Sequence, residues 1–293
     1  LFRSDKKVEN AKRYGHFGEI MPENEFLLLA QACDCFEVFY LDKDFVAANK
    51  GELAKDPVIT EAILARVQEG VENSVIKGFV DAHEAEPLFY EGKLVGCVKR
   101  AHDIDVNLSA EVMLENLMNK ASSVLAVLHS LKSSNVDPLS IEYVIDCSEE
   151  ACGDVNQRGG GNFAKAVAEI AGLENATGSD ARGFCAGPSH AMIEAASLVK
   201  AGAFHTVLVI GGGCVPKLAM NGKDHVKKEL PMLEDCLGSF SVVVSENDGV
   251  SAEINLDVIG RHTVGTGAAP QNVIGSLVAD PLEKAGQIGR AHV

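Results

Sequence analysis

The stretch GFCAGPSHAMIEAASLVKAGAFHTVLVIGGG, residues 183–213, decides the fold class. It reads as a tight entry, a helix, a glycine stop and a strand that ends in three glycines. Over 187–200, Ala191, Met192, Ile193, Ala195, Ala196, Leu198 and Val199 make the segment apolar around most of its circumference, which predicts a buried central helix. Gly202 is the candidate C-cap. Residues 206–210, TVLVI, form the continuous apolar run of a strand covered on both faces. Upstream, IEYVID (141–146) reads as a short strand, and RGGGN (158–162) leads into a helix over 163–171. Further upstream, Ser109 is placed to cap a long helix running to about Leu131, with Glu111 in its first turn. The core face of that helix takes Leu114, Leu117, Ala121, Val124, Leu125 and Leu128. Downstream, FSVVVS (240–245) and residues 252–258 predict two strands, and Asn247-Asp248-Gly249 between them predicts a hairpin. Strands alternating with helices from 141 to 245 predict a layered α/β fold with a largely buried sheet.

Residues 1–105 have a different texture, charged and mixed. Ile59, Ile63, Leu64, Val67 and Val71 fall on one helical face, and Pro57 suits the start of that helix. Residues 88–98 predict a hairpin turning at Glu91-Gly92-Lys93. The expected organisation is an accessory α+β region over 1–105, its upstream part lost, and an α/β domain over 106–287 truncated at its end. Residues 288–293, IGRAHV, read as the translation of a sequencing-adapter read-through, and the expectation is that they are not part of the fold.

Lys and Arg total 26 against 42 Asp and Glu, a net charge of −16. That balance argues against binding nucleic acid through its phosphates and against an anionic membrane surface. With 46% hydrophobic residues the chain has the material for a core, which excludes intrinsic disorder. No apolar run approaches the length of a membrane span. Eight cysteines without a signal-peptide pattern read as cytosolic thiols, so a cytoplasmic location is expected. Cys33 and Cys35 lie in the apolar run 27–39 as C-x-C, without zinc-ligand spacing, and read as buried core thiols.

Cys185 is the candidate catalytic residue. It precedes the helix over 187–200, where unpaired N–H groups and the positive end of the helix dipole stabilise a thiolate. Ala186 and Gly187 let backbone pack closely around the sulfur. A nucleophile and a packing thiol beside two small residues both satisfy this local sequence. Gly211, Gly212 and Gly213 follow a strand without a dinucleotide fingerprint, and Gly159–161 lack the Lys-Ser/Thr of a phosphate loop. The first run is a candidate pocket loop, its N–H groups candidate oxyanion donors. His262, in a Gly/Thr-rich loop, is the candidate general base. His190 falls about 140° around the helix from the thiol and reads as structural. His205 and His225 read as surface, and Glu149-Glu150 as a solvated turn. No cofactor or metal ligand set is expected.

The order GFCAG, Ala-rich helix, KAGA, apolar strand and glycine turn resembles the nucleophile region of the ketoacyl-ACP synthase III enzymes of the thiolase superfamily. Longer blocks are more specific: CVKRAHDIDVNLSAEVM (97–113), IDCSEEACGDVNQRGGGNFAKAVAEIAG (145–172), ATGSDARGFCAGPSHA (176–191), NGKDHVKKELPMLED (221–235) and GRHTVGTGAAPQ (260–271). From about residue 15 to residue 286 the chain resembles the component C beta subunits of glycine/sarcosine/betaine reductase complexes. The resemblance implies a thiolase-like layered fold, represented by its first half and the start of the second. It implies a cytoplasmic subunit of anaerobic amino-acid fermentation in which a two-carbon unit becomes an acetyl thioester on cysteine and leaves with phosphate as acetyl phosphate. Cys185 matches the superfamily nucleophile by position. The partners implied are an alpha subunit similar to a phosphate acyltransferase and the other components of the complex, with a homo-oligomer left open. A catalytically silent scaffold of the same fold and a synthase III-like acyltransferase are the alternatives; the lack of a glycine fingerprint weighs against a dinucleotide-binding dehydrogenase.

Overall fold

Ser109 opens the longest described helix, α5 (Ala110–Ser134), its hydroxyl accepting from the Val112 N–H, and Asn135 closes it in the left-handed conformation. Around this helix the computed structural model describes residues 12–15, 18–148, 162–183, 186–213 and 237–286. The expected core face of α5 is buried, apart from a half-buried Leu114. So are Glu115, Asn116, Asn119, Lys120, Ser122 and Ser123, because α5 lies against both of the larger sheets.

The first of these sheets is antiparallel, in the order β3 (Phe39–Leu41), β5 (Lys93–Lys99), β4 (Ala85–Tyr90). The expected hairpin is its β4–β5 pair. Glu91 (φ 48°) and Gly92 (φ 75°) both take positive φ at the turn, as a two-residue hairpin turn requires. Helix α1 (Glu23–Cys33) packs against β3 and α5, and α4 (Asn73–Asp81) covers the other side of the sheet. Cys33 is buried, as expected, while Cys35 is only half-buried.

The helix expected from Pro57 starts later and is shorter. The Asp56 side chain accepts from the Val58 N–H and holds a turn there. Thr60 caps α3 (Glu61–Arg66), and Val71 leaves the helical face to bridge Asp42. Asp42 in turn caps α2 (Lys43–Leu53). A short hairpin, β1 (Tyr14–Gly15) with β2 (Gly18–Glu19), is tied down by Arg13, whose guanidinium meets Glu19, Glu25 and Asp56 at 2.5–2.8 Å.

The second sheet runs β7 (Thr177–Asp180), β6 (Tyr143–Asp146), β8 (Thr206–Gly211), β9 (Phe240–Ser245). Its first three strands are parallel and β9 is antiparallel to β8. Helix α6 (Phe163–Ala171) starts at an Asn162 cap and ends at Gly172 with φ 75°. Val144, Leu208 and Ile210 face α5 and α6, whereas Ile145, Cys147, Val207 and Val209 face α7 (Gly187–Lys200). The layered α/β reading therefore holds. One hydrophobic cluster runs from Leu27 through α5 to Ile210.

Two expectations are corrected. Residues 252–258 form no strand and no hairpin with β9. Instead Leu256 packs against the α7 cluster, the Asn255 side chain accepts from the Asp257 N–H, and Asp257 is held by Lys200 and Lys284 in a one-turn helix, Leu256–Val258. The Asn247–Gly249 turn does form, through the Asn247 and Asp248 side chains. Helix α7 is not buried all round: Gly187, Ala191, Ala195 and Ala196 form its buried face, and Met192, Ile193, Leu198 and Val199 are half-exposed. Its C-terminus is as expected, with Gly202 at φ 68° and the Ala203 N–H donating back to Leu198.

Candidate functional site

The carboxyl ends of three parallel strands meet where sheets of this class bind ligands. Strand β6 ends at Asp146, flanked in register by Asp180 of β7 and Ile210 of β8. The backbone continues the pairing past the strands: the Cys147 N–H donates to Ile210 and the Ala181 N–H to Asp146.

Beyond these ends the side chains form a linked polar network. Ser148 Oγ donates to Asp146 Oδ1 at 2.6 Å and accepts the Gly212 N–H at 2.8 Å. The Ser148 N–H reaches Asp146 Oδ2 at 3.3 Å. Arg182 donates to the Ser148 carbonyl at 3.1 Å and to Asp180 Oδ2 at 3.3 Å. The Asp180 carboxylate also accepts the Phe163 and Ala164 N–H groups, an anion at the positive end of α6. Asp146 is fully buried. Burial pushes its pKa up to about 7; the Ser148 hydrogen bond opposes this, Asp180 adds to it and Arg182 opposes it. Burial likewise lowers the Arg182 pKa, against the attraction of Asp146.

Cys185 lies outside the described residues, as do Gly159–161, Glu149-Glu150 and His225. Gly183 before Cys185 and Ala186 and Gly187 after it are described. Gly187, the first residue of α7, sits so close to the end of β6 that a Cβ there would lie 3.1 Å from the Cys147 carbonyl oxygen. A Cβ on Gly183 would lie 3.2 Å from the Gly187 nitrogen. The start of α7 is thus pressed against the β6 carboxyl end. Cys147 itself is buried, donates its thiol to the Ile210 carbonyl, and has its pKa pushed up to about 12 by burial and by Asp146.

Gly211, Gly212 and Gly213 turn at the same edge. A Cβ on Gly212 would stand 2.0 Å from Asn119 Oδ1 and 2.5 Å from Ser123 Oγ, so only glycine fits this approach to α5. The two N–H groups offered as oxyanion donors are engaged, Gly212 with Ser148 Oγ and Gly213 with Ser122 Oγ at 3.1 Å. His262 is exposed. Its Nε2 donates to the Gly267 carbonyl at 2.8 Å within its own loop, and among the described residues no hydrogen bond or ion pair joins it to the strand ends. His190 is exposed on α7 beside Gly183, and His205 is exposed beside Glu142. Sequence reasoning missed Asp146, Ser148 and Arg182. Asp146 carried one usable signal, a carboxylate closing an otherwise apolar strand.

Elsewhere, a groove of about 510 Å³ lined by Lys165, Glu169, Gly172 and Glu174 lies where α6 ends and β7 begins, at the opposite edge of the parallel strands. Glu19, Asp56 and His129 bring metal-type ligand atoms within 4.8 Å of one another, but Glu19 and Asp56 already hold the Arg13 guanidinium.

No family model matches the chain. Over 282 residues, 96% of its length, it is 57% identical to the glycine/sarcosine/betaine reductase complex component C subunit beta of Peptoclostridium acidaminophilum. This chain is a relative of the component C beta subunit. It spans 55% of that protein's length. Among solved structures it is similar to the priming β-ketosynthase of the R1128 polyketide pathway, with TM-score 0.37 and 25% identity, covering 44% of this chain and 36% of that one. It is also similar to 3-oxoacyl-[acyl-carrier-protein] synthase III of Aquifex aeolicus VF5, with TM-score 0.33 and 17% identity, covering 51% of this chain and 41% of that one. Among the described residues no helix is long and apolar enough to cross a membrane.

Proposed function

We propose that the protein is a component C beta subunit acting in acetyl transfer. Cys185 is its nucleophile, the Gly211–Gly213 turn a wall of its pocket, and 106–287 its thiolase-like domain, with the accessory region before it. A two-carbon unit from the reductase is held as an acetyl thioester on Cys185. An oxygen of phosphate then attacks the thioester carbonyl, the C–S bond breaks, the thiolate leaves and acetyl phosphate is released. Its partners are an alpha subunit similar to a phosphate acyltransferase and the other components of the complex, in the cytoplasm. The observation that carries this reading is the 57% identity over 96% of the chain, which includes the GFCAG block. The start of α7 at the carboxyl edge of the parallel strands supports it. His262 stays the candidate general base.

A second reading, a catalytically silent scaffold, is favoured by one observation. Both Gly212 and Gly213 already donate to serine hydroxyls, so a thioester oxygen would have to displace Ser148 or Ser122 to use them. The readings separate in the full-length subunit assembled with its alpha partner. After turnover without phosphate, mass spectrometry is expected to find acetyl on Cys185, and Cys185→Ala is expected to abolish labelling of the beta chain. Acetyl on the alpha chain alone would leave the beta subunit a scaffold.

A further inference from the structure

We propose that Asp146 and Ser148 are positioning residues for the acyl-transfer site, a buried carboxylate–hydroxyl pair that holds the β8 turn and the β7 exit in register at the edge where α7 begins. The consequence for chemistry rests on acetyl transfer at Cys185; the latch itself rests on geometry alone.

Ser148 is nine-tenths buried or more, and it is the hub. Its hydroxyl can donate only once, and donating to Asp146 Oδ1 fixes the rotor so that a lone pair faces the Gly212 N–H. Its carbonyl receives Arg182, which also reaches Asp180, the acceptor of the first two N–H groups of α6. Three loops that leave three parallel strands are thereby joined through one serine. The groups facing Asp146 are Cys147 and Ser148 on its own chain segment, Asp180 at the end of β7 and Arg182 just beyond it. The arrangement needs the carboxylate form. Oδ1 and Oδ2 both accept from Ser148, so a proton on Oδ2 would meet an N–H, and a proton on Oδ1 would reverse the Ser148 bond and turn the hydroxyl that Gly212 uses away from the carboxylate that orients it. The raised pKa of Asp146, about 7, puts the change of state near neutrality.

The test is single-amide hydrogen exchange on the full-length subunit with its alpha partner, followed from about pH 5.5 to about pH 8.5 and corrected for intrinsic exchange. Protection of the Gly212 amide is expected to rise with pH through about 7 in the wild type. Ser148→Ala and Asp146→Asn are expected to lower it about tenfold or more at the alkaline end. Ser148→Thr keeps the hydroxyl and is expected to restore it. Gly213, held by Ser122, is the internal reference and is expected to move less. The rate of Cys185 acetylation is expected to fall with Gly212 protection across the set. Equal protection in wild type and Ser148→Ala, an unaltered pH profile in Asp146→Asn, or a Ser148→Thr as unprotected as Ser148→Ala would each overturn the proposal. Protection that follows the expected pattern while Cys185 is never acetylated would instead overturn the acetyl-transfer reading and leave the latch standing.

Discussion

The Asp146 carboxylate contributes to stability with a sign opposite to that of most acidic residues. Burial raises its pKa from the ordinary 3.8 to about 7, so between those values the folded chain holds a proton that the unfolded chain has lost. Stability from this group is therefore fully present below about pH 4, falls as pH rises, and levels off above about 7. A shift of about three units corresponds to on the order of 4 kcal/mol across that window. Denaturant melts of wild type and Asp146→Asn at pH 5 and pH 8 measure it. The Asn variant is expected to gain stability relative to wild type at the higher pH, and a gap that does not change with pH would show that the carboxylate is not desolvated. The structural cysteines differ in kind. Burial pushes Cys33 and Cys147 up to about 12, and neither offers a thiolate at neutral pH.

At the scale of elements, the features legible in the sequence were those set by local chemistry. Ser109 and Asn162 cap their helices, Gly172 and Gly202 close theirs, and Glu91-Gly92 turns a hairpin, each through bonds within a few residues. What escaped was set by partners distant in sequence. Strand β7, TGSD, has no apolar pattern and exists because it pairs in parallel with β6 and because Asp180 accepts the first N–H groups of α6. Residues 252–258 alternate like a strand, yet Leu256 finds α7 and Asp257 finds two lysines. The network at the end of β6 escaped for the same reason, since Gly212 and Arg182 come from the segments that follow β8 and β7. The glycine turn permits a direct test. Gly212→Ala forces a methyl onto Asn119 and Ser123 of α5 and is expected to cost about 1–3 kcal/mol by denaturant melt. Gly249→Ala, at a turn with open space around it, meets only its positive φ and is expected to cost about 1 kcal/mol. Equal costs would mean that the β8 turn does not press on α5.

Across the whole molecule, α5 is the element that both larger sheets share. It packs on β4 and β5 of the antiparallel sheet and on β8 and β9 of the mixed sheet, and its apolar residues belong to one cluster with Leu27–Leu29, Val95, Val144 and Leu208. A boundary between residues 105 and 106 therefore divides the chain by texture while the core runs across it. Cooperativity decides which description governs behaviour. Leu117 of α5 is buried in this cluster, and Leu117→Ala is expected to cost about 2–5 kcal/mol. If the shared core makes one folding unit, that loss should appear equally in the hydrogen-exchange protection of the most stable amides of β5 and β6, inner strands of the two sheets. If the accessory region is a separate unit, one strand will lose protection and the other will keep it, and the boundary will then mark an independent domain.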